Sequence, residues 1–281
     1  MQASMGTLDL PELRTINDYK IDKSKFTMER NNCLVTPATA IDSSEGVLLY
    51  EYSHEVVQNT SVFGQFQIGV ATLCFMDSDA VGESNCRLLG FVTRGSTKLL
   101  VAEDLGNSTL EVLMDEDGAV TRDLVLEIAY QVAKALSVYA DLKIPHQGVH
   151  PSNIFQKEGI WILGPPFPLP IIDEIEVAEK NVRCSSPETP FGSRSTYEGD
   201  IWSYGVLLQQ MLDKIKDREN AISEIIHLDD QSEGFLWKMI KRRTSTATIN
   251  ANLTLNGLIS HCLEQKTLLR WSAHRVIKSS V

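Results

Sequence analysis

Apolar and polar positions follow two different rhythms, one before about residue 105 and one after it. From Cys33 to Leu105 the pattern is strand-like. CLVTPATAI runs into the turn cluster DSSEG and then VLLYEYS, which predicts a hairpin with Gly46 in its loop. CRLLGFV and KLLVAED, joined by TRGST, predict a second strand pair. Between them VFGQFQIGVATLCFM has apolar spacing compatible with a helix or a strand, and Gly64 and Gly69 weaken the helix. Residues 1–30 are mixed and polar with no sustained period, and read as an N-terminal extension to a domain over 31–281.

Past Leu105 the period lengthens. Thr121 is placed to cap a helix with Asp123 in its first turn, and Leu124, Ile128, Val132 and Leu136 follow at four-residue spacing. They predict an amphipathic helix of about five turns ending near Pro145. IFQKEGIWIL predicts two short strands around a Lys-Glu-Gly turn. Residues 165–170 hold four prolines and should be stiff and extended. DIWSYGVLLQQML, residues 200–212, is apolar nearly all round, as a helix buried on every side would be. Further helices are expected over 219–227, 234–243 and 253–280. The order predicts an α+β chain: a small β-rich lobe over about 31–104 and a helical lobe over about 105–281, meeting near Glu103–Gly106.

Composition narrows the class. The 281 residues carry 26 basic and 37 acidic side chains, a net charge of −11. That is the reverse of the balance in a phosphate-tracking nucleic-acid binder. No apolar run approaches the roughly 18 residues of a membrane-spanning helix. MQASMGTLDLPEL lacks the basic and apolar regions of a secretory leader. Five cysteines, at 33, 74, 86, 184 and 262, are scattered and form no CxxC. They fit reduced intracellular thiols and not a disulfide framework or a structural zinc. The expectation is an acidic, soluble, cytoplasmic protein with no nucleic-acid binding and no membrane insertion.

One constellation carries more. His146-Gln147-Gly148-Val149-His150-Pro151-Ser152-Asn153-Ile154 lies between the long helix and the hairpin. It resembles the catalytic loop of protein kinases, H-R-D-L-K-P-x-N-I, at His146, Pro151, Asn153 and Ile154. Ser186-Pro187-Glu188 is similar to the kinase A-P-E, and Asp200-Ile201-Trp202-Ser203-Tyr204-Gly205-Val206 to the D-x-W-S-x-G-V helix. Cys262-Leu263 followed by Arg270 resembles the C-L…R element, and Leu89-Gly90 and Leu100–Glu103 sit where the fourth strand, fifth strand and hinge should be. Taken in order over about residues 33–278, these imply a two-lobed protein kinase-like fold.

The same resemblance shows which chemical parts are missing. A kinase holds the α- and β-phosphates with a third-strand lysine positioned by a helix glutamate. No lysine occurs from residue 26 to 97, and the matching strand has Tyr50 or Glu51 near that slot. Between Val56 and Met76 there is no Asp or Glu, so the partner helix lacks its glutamate unless Glu55 serves, and between residues 7 and 63 the only glycine is Gly46, so no glycine-rich loop exists. Gly148 occupies the position of the catalytic Asp. Gly164-Pro165-Pro166 stands where D-F-G would supply a magnesium ligand. Between Lys143 and Ile172 the only acid is Glu158, on the hairpin turn. A positioned base contributes roughly 10²–10⁴ in rate, and phosphate clamps about as much again. Kinases turn over at only about 1–100 per second, so little rate would survive.

The retained residues read as structural. The resemblance implies that Glu188 and Arg270 form a buried ion pair, that Asp200 hydrogen-bonds the catalytic-loop backbone, and that His146 packs in the same core. Gln147 replaces the arginine of the family's phosphate-sensing pocket. His150, in the catalytic-loop lysine position, has no nucleophile or carboxylate beside it in sequence and reads as a partly exposed structural histidine. The expected function is a catalytically inactive kinase-like scaffold or allosteric regulator acting through other proteins, with no metal and no cofactor. The alternative is a divergent nucleotide-binding protein or enzyme using unconventional residues in the same cleft. The mixed apolar, aromatic and basic stretch over 213–250, from Ile222 through Trp237 to Arg243, is the expected docking surface.

Overall fold

In this computed structural model the strand-like part forms one antiparallel sheet: β1 (Tyr19–Ile21), β2 (Met28–Arg30), β3 (Cys33–Ala40), β4 (Gly46–Tyr52), β5 (Leu88–Arg94) and β6 (Thr97–Glu103). Its order is β1-β3-β4-β6-β5, with β2 also on β3. The structure describes residues 15–22, 28–30, 33–52, 60–76, 81–95, 97–116, 118–167, 186, 196–228 and 255–279. The sheet starts before residue 31, where the sequence pattern placed the domain boundary. Tyr19 pairs with Ala40 and Met28 with Val35. Both strands are three residues long, too short for a period of two to register in sequence.

Both expected strand pairs form, with registers running from Cys33↔Tyr52 to Thr39↔Gly46 and from Leu88↔Ala102 to Arg94↔Thr97. Alternation divides β4 between two faces. Val47 and Leu49 join Ala38, Val92, Leu99 and Val101 on one. Leu48, Tyr50 and Tyr52 lie on the other. The ambiguous segment is a helix, α1 (Thr60–Phe75). Phe63, Phe66, Val70 and Leu73 make its buried stripe, and Tyr52, Phe63, Phe66 and Phe91 meet at ring-centroid distances of 5.3 to 6.4 Å. The sheet face supplies the apolar partner that local spacing could not reveal.

The chain divides into two compact units, with one changeover between Asp104 and Leu105. Gly82–Asn85 belongs to the second unit and not to the strand-rich one. Its anchors explain why: Ser84 accepts the Leu163 N–H at 2.8 Å, and the Asn85 amide donates to the Ala135 carbonyl at 3.4 Å.

In the second unit α2 (Leu110–Asp115) precedes α3 (Arg122–Leu142). Thr121 caps α3 by accepting the Leu124 N–H at 3.3 Å, and Lys143, at φ 55, closes it in the left-handed region. Ile128, Val132 and Leu136 are buried with Trp161, Leu163, Ile201, Tyr204 and Met211. The hairpin β7 (Ile154–Lys157) and β8 (Ile160–Leu163) turns at Glu158 and Gly159, both with positive φ, the signature of a two-residue turn that matches strand twist.

The last third departs from the sequence pattern in two places. Residues 219–227 are not a separate helix: α4 (Tyr197–Leu228) runs through them without a break. Nor is 253–280 one helix. α5 (255–262) and α6 (Ala273–Ser279) are separated by a single 3-10 turn, Thr267–Leu269. The break follows from Arg270, whose guanidinium turns back to bond the Glu264 carbonyl through Nε and Nη2 at 3.1 and 2.9 Å. The expected helix at 234–243 and the expected docking residues from Ile222 to Arg243 lie outside the residues whose side chains are described. Among the described residues no helix is long and apolar enough to cross a membrane.

Candidate functional site

The loop from His146 to Asn153 connects α3 to β7, and the segment Gly164–Phe167 leaves β8 beside it. Every residue of that segment is buried. Asp200, in the first turn of α4, holds the loop from below. Its Oδ2 accepts the His146 N–H at 2.7 Å and its Oδ1 the Gln147 N–H at 2.8 Å. Asp200 is only 4% exposed, and burial pushes its carboxyl up to about 7 against the pull of those two donors. Gln147 itself adopts φ 62 to turn the chain.

His146 is fully buried, edge-on to Tyr139 at 4.7 Å between ring centroids. Burial pushes its imidazole down to about 3, so the ring is neutral at ordinary pH. Its Nδ1 accepts the Gly148 N–H at 3.1 Å, which leaves the proton on Nε2, and Nε2–H donates to the Gly164 carbonyl at 2.9 Å. One ring thereby ties the loop to the segment after β8.

Asn153 makes the second tie. Its Nδ2 donates to the Gly148 carbonyl at 2.9 Å and to the Pro165 carbonyl at 3.0 Å. Its own carbonyl accepts the Gly164 N–H at 2.8 Å, and the Phe167 N–H donates to the His146 carbonyl at 3.0 Å. The two glycines face this packing directly. A Cβ on Gly148 would stand 2.8 Å from Asn153 Nδ2 and 2.8 Å from Phe167 Cδ2. On Gly164 it would stand 2.2 Å from Asn153 Oδ1 and 2.8 Å from Phe155 Cε2. Neither glycine has a positive φ, so space and not backbone freedom requires them.

These residues do not fit a magnesium ion. The Asn153 Nδ2 donates to two carbonyls, which leaves its neutral Oδ1 as a single oxygen ligand, and the His146 nitrogens are engaged with Gly148 and Gly164. Both Asp200 oxygens hold backbone N–H groups, and Glu158 is exposed on the hairpin turn. Magnesium asks for hard oxygen ligands in octahedral array.

A family model described as protein tyrosine and serine/threonine kinase matches residues 81–279, well over half of the chain. The chain belongs to this protein kinase family. Mitogen-activated protein kinase kinase 9 of Arabidopsis thaliana is 29% identical over 123 residues, which is 40% of this kinase-like chain and 39% of that protein. The mast/stem cell growth factor receptor Kit of Gallus gallus is 32% identical over 110 residues, 37% of this chain and 12% of the receptor. A probable serine/threonine-protein kinase of Clostridium acetobutylicum is 24% identical over 181 residues, 61% of this chain and 26% of that kinase. The chain therefore covers less than half the length of each of these relatives.

Within the kinase-like chain, His146, Gln147, Gly148, Asn153, Gly164, Pro165, Pro166 and Asp200 come together at one place. Arg270 makes no bond to that loop but reaches the first turn of α4, the turn that carries Asp200. Its Nη1 donates to the Glu198 carbonyl at 2.8 Å, and its guanidinium lies 5.1 Å over the Trp202 ring. Glu188, its expected partner, lies outside the described residues. His150 is 5% exposed and not partly exposed as expected, with Nδ1 at 2.9 Å from Ser152 Oγ. In the first unit, Tyr50 and Glu51 are on opposite faces of β4. Tyr50 is buried on the face that carries α1, while Glu51 pairs with Arg94 on the other. The sequence Thr60–Phe75 gives α1 no acidic or basic residue. Sequence reasoning missed Phe167. The signal was an aromatic immediately after the Pro165-Pro166 pair, opposite two glycines in matching motif positions.

Proposed function

We propose that this kinase-family chain does not transfer phosphate and acts as a scaffold or allosteric regulator of other proteins. The observation that carries the reading is the pair of glycines at the two motif positions that would hold carboxylates, each with neighbouring side chains in the space of its missing Cβ. A base and a metal ligand are thus absent together, and the third-strand lysine with them. The buried bonds of His146, Asn153, Asp200 and Arg270 maintain the fold around the vacated chemistry, which is what a domain used for its shape requires. The acidic balance of −11 favours protein partners over nucleic acid, and the scattered cysteines fit a cytoplasmic setting.

Two measurements test this. Phosphotransfer to a generic peptide or to the chain itself, followed with radiolabelled ATP and magnesium, should stay at the level of a no-protein blank. Thermal unfolding should be unmoved by ATP with magnesium, because a bound nucleotide would stabilise the fold by mass action. Incorporation of label above the blank, abolished by mutation of a loop residue, would overturn the reading.

A further inference from the structure

We infer that Gly164–Phe167 is a permanently engaged strap, with the Phe167 ring as its plug, that locks the His146–Asn153 loop in one conformation and closes it to a metal ion. The inference rests on the non-catalytic reading and deepens it by naming what fills the site. Four hydrogen bonds fasten three of these four consecutive residues. The Gly164 carbonyl accepts from His146 Nε2–H, the Gly164 N–H donates to the Asn153 carbonyl, the Pro165 carbonyl accepts from Asn153 Nδ2, and the Phe167 N–H donates to the His146 carbonyl. Proline at 165 and 166 fixes φ at two positions in a row and removes two N–H groups that would otherwise need partners in this buried segment. Phe167, 4% exposed, then lays its ring 2.8 Å from the point where a Cβ on Gly148 would stand.

Each part depends on the others. A side chain at Gly148 would displace the Phe167 ring and the Asn153 amide. A side chain at Gly164 would displace Asn153 and Phe155. With Asn153 moved, the Gly148 and Pro165 carbonyls would lose the donor they share. The loop is held by the backbone of the strap, the His146 and Asn153 side chains and one aromatic ring, where a metal-dependent site would need ligands free to turn toward the ion. The geometry is therefore ligand-independent, and restoring one carboxylate does not restore the site.

A double-mutant cycle on the full chain tests the strap. Gly148→Ala adds only the Cβ and should lower the melting temperature by about 3–8 °C, the range for overpacking one methyl in a chain of this size. In a Phe167→Ala background the same substitution should lower it by less than half as much, because one of the two closest atoms is gone. If Gly148→Ala leaves the melting temperature unchanged, or costs as much with Phe167 as without it, the plug does not exist. Should Gly148→Ala fail to fold, Phe167→Ala decides alone by hydrogen exchange. The Phe167 and Gly164 amides should exchange at least tenfold faster while the β7–β8 amides keep their protection. Uniform change, or none, would overturn the strap. Manganese alone, titrated against the wild-type chain and followed by the relaxation of solvent water, should show no binding at this loop; site binding relieved by Gly148→Ala would also overturn it. Phosphotransfer by the wild type with an intact cycle would sink the functional reading and the closure to metal, and leave only the packing of Phe167 against Gly148 standing.

Discussion

Asp200 and His146 are joined by a 2.7 Å hydrogen bond, and burial pushes their side chains in opposite directions, the carboxyl up to about 7 and the imidazole down to about 3. The signs follow by linkage. Asp200, raised from 3.8, adds stability that is complete at low pH and is lost as pH rises toward 7. His146, lowered from 6.5, adds stability that is complete above that value and is lost as pH falls toward 3. Between about pH 4 and 6.5 the two slopes, each about 1.4 kcal/mol per pH unit, cancel. The wild-type contribution of this pair should be flat there. Asp200→Asn should make stability rise with pH over that window, and His146→Gln should make it fall. Urea midpoints at half-unit pH steps read both slopes, and parallel profiles for all three proteins would contradict the assignment.

Gly205 and Gly64 are both helical, yet substitution should move them in opposite directions. A Cβ on Gly205 would meet Cys262 Cβ at 2.7 Å and Leu263 at 3.0 Å, so α4 and α5 touch only because this residue has no side chain. Gly205→Ala should cost about 1–3 kcal/mol. Among the described residues nothing lies within 4 Å of the Cβ position of Gly64 in α1, and Gly64→Ala should add about 0.5–1 kcal/mol. Chemical denaturation of the two single variants checks the signs.

Arg270 is 7% exposed and donates to the carbonyls of Glu198 and Glu264. Lysine keeps the charge but cannot reach two carbonyls with a planar fork. Arg270→Lys should therefore lower stability by about 2–3 kcal/mol, the scale of losing a charge-assisted hydrogen bond in a buried setting. Hydrogen exchange should localise the loss to the first turn of α4 and the Thr267–Leu269 turn. A loss below about 0.5 kcal/mol would mean that the fork contributes little beyond surface pairing.

Lysine placed at either strand candidate should not restore nucleotide binding. Tyr50→Lys would bury an ammonium on the face of β4 that carries α1, a helix with no acid to meet it. It should destabilise by several kcal/mol and partly recover at high pH, where the lysine is neutral. Glu51→Lys would face Arg94 instead and cost less than Tyr50→Lys, about 1 kcal/mol, since that pair is only partly buried. Neither variant should shift its melting temperature with ATP and magnesium. A stabilising shift in either would show that a lysine was the only missing part.

Local chemistry sufficed for the elements that close within a few residues. The Glu158-Gly159 turn, the Thr121 cap, the four-residue apolar spacing of α3 and both strand pairs depend on neighbours in sequence, and each is readable there. The ordered motifs around His146, Asn153 and Asp200 were also enough to point to the kinase family. Long-range packing decided the rest. Thr60–Phe75 is a helix because Phe63 and Phe66 found Tyr52 and Phe91 across the sheet. Tyr19–Ile21 and Met28–Arg30 are strands only because β3 offers an edge to each. A sequence shows that residues 148 and 164 are glycine. That Asn153, Phe155 and Phe167 lie within 3 Å of where a Cβ on one or other of these glycines would stand depends on side chains separated along the chain, and only the folded packing could determine it.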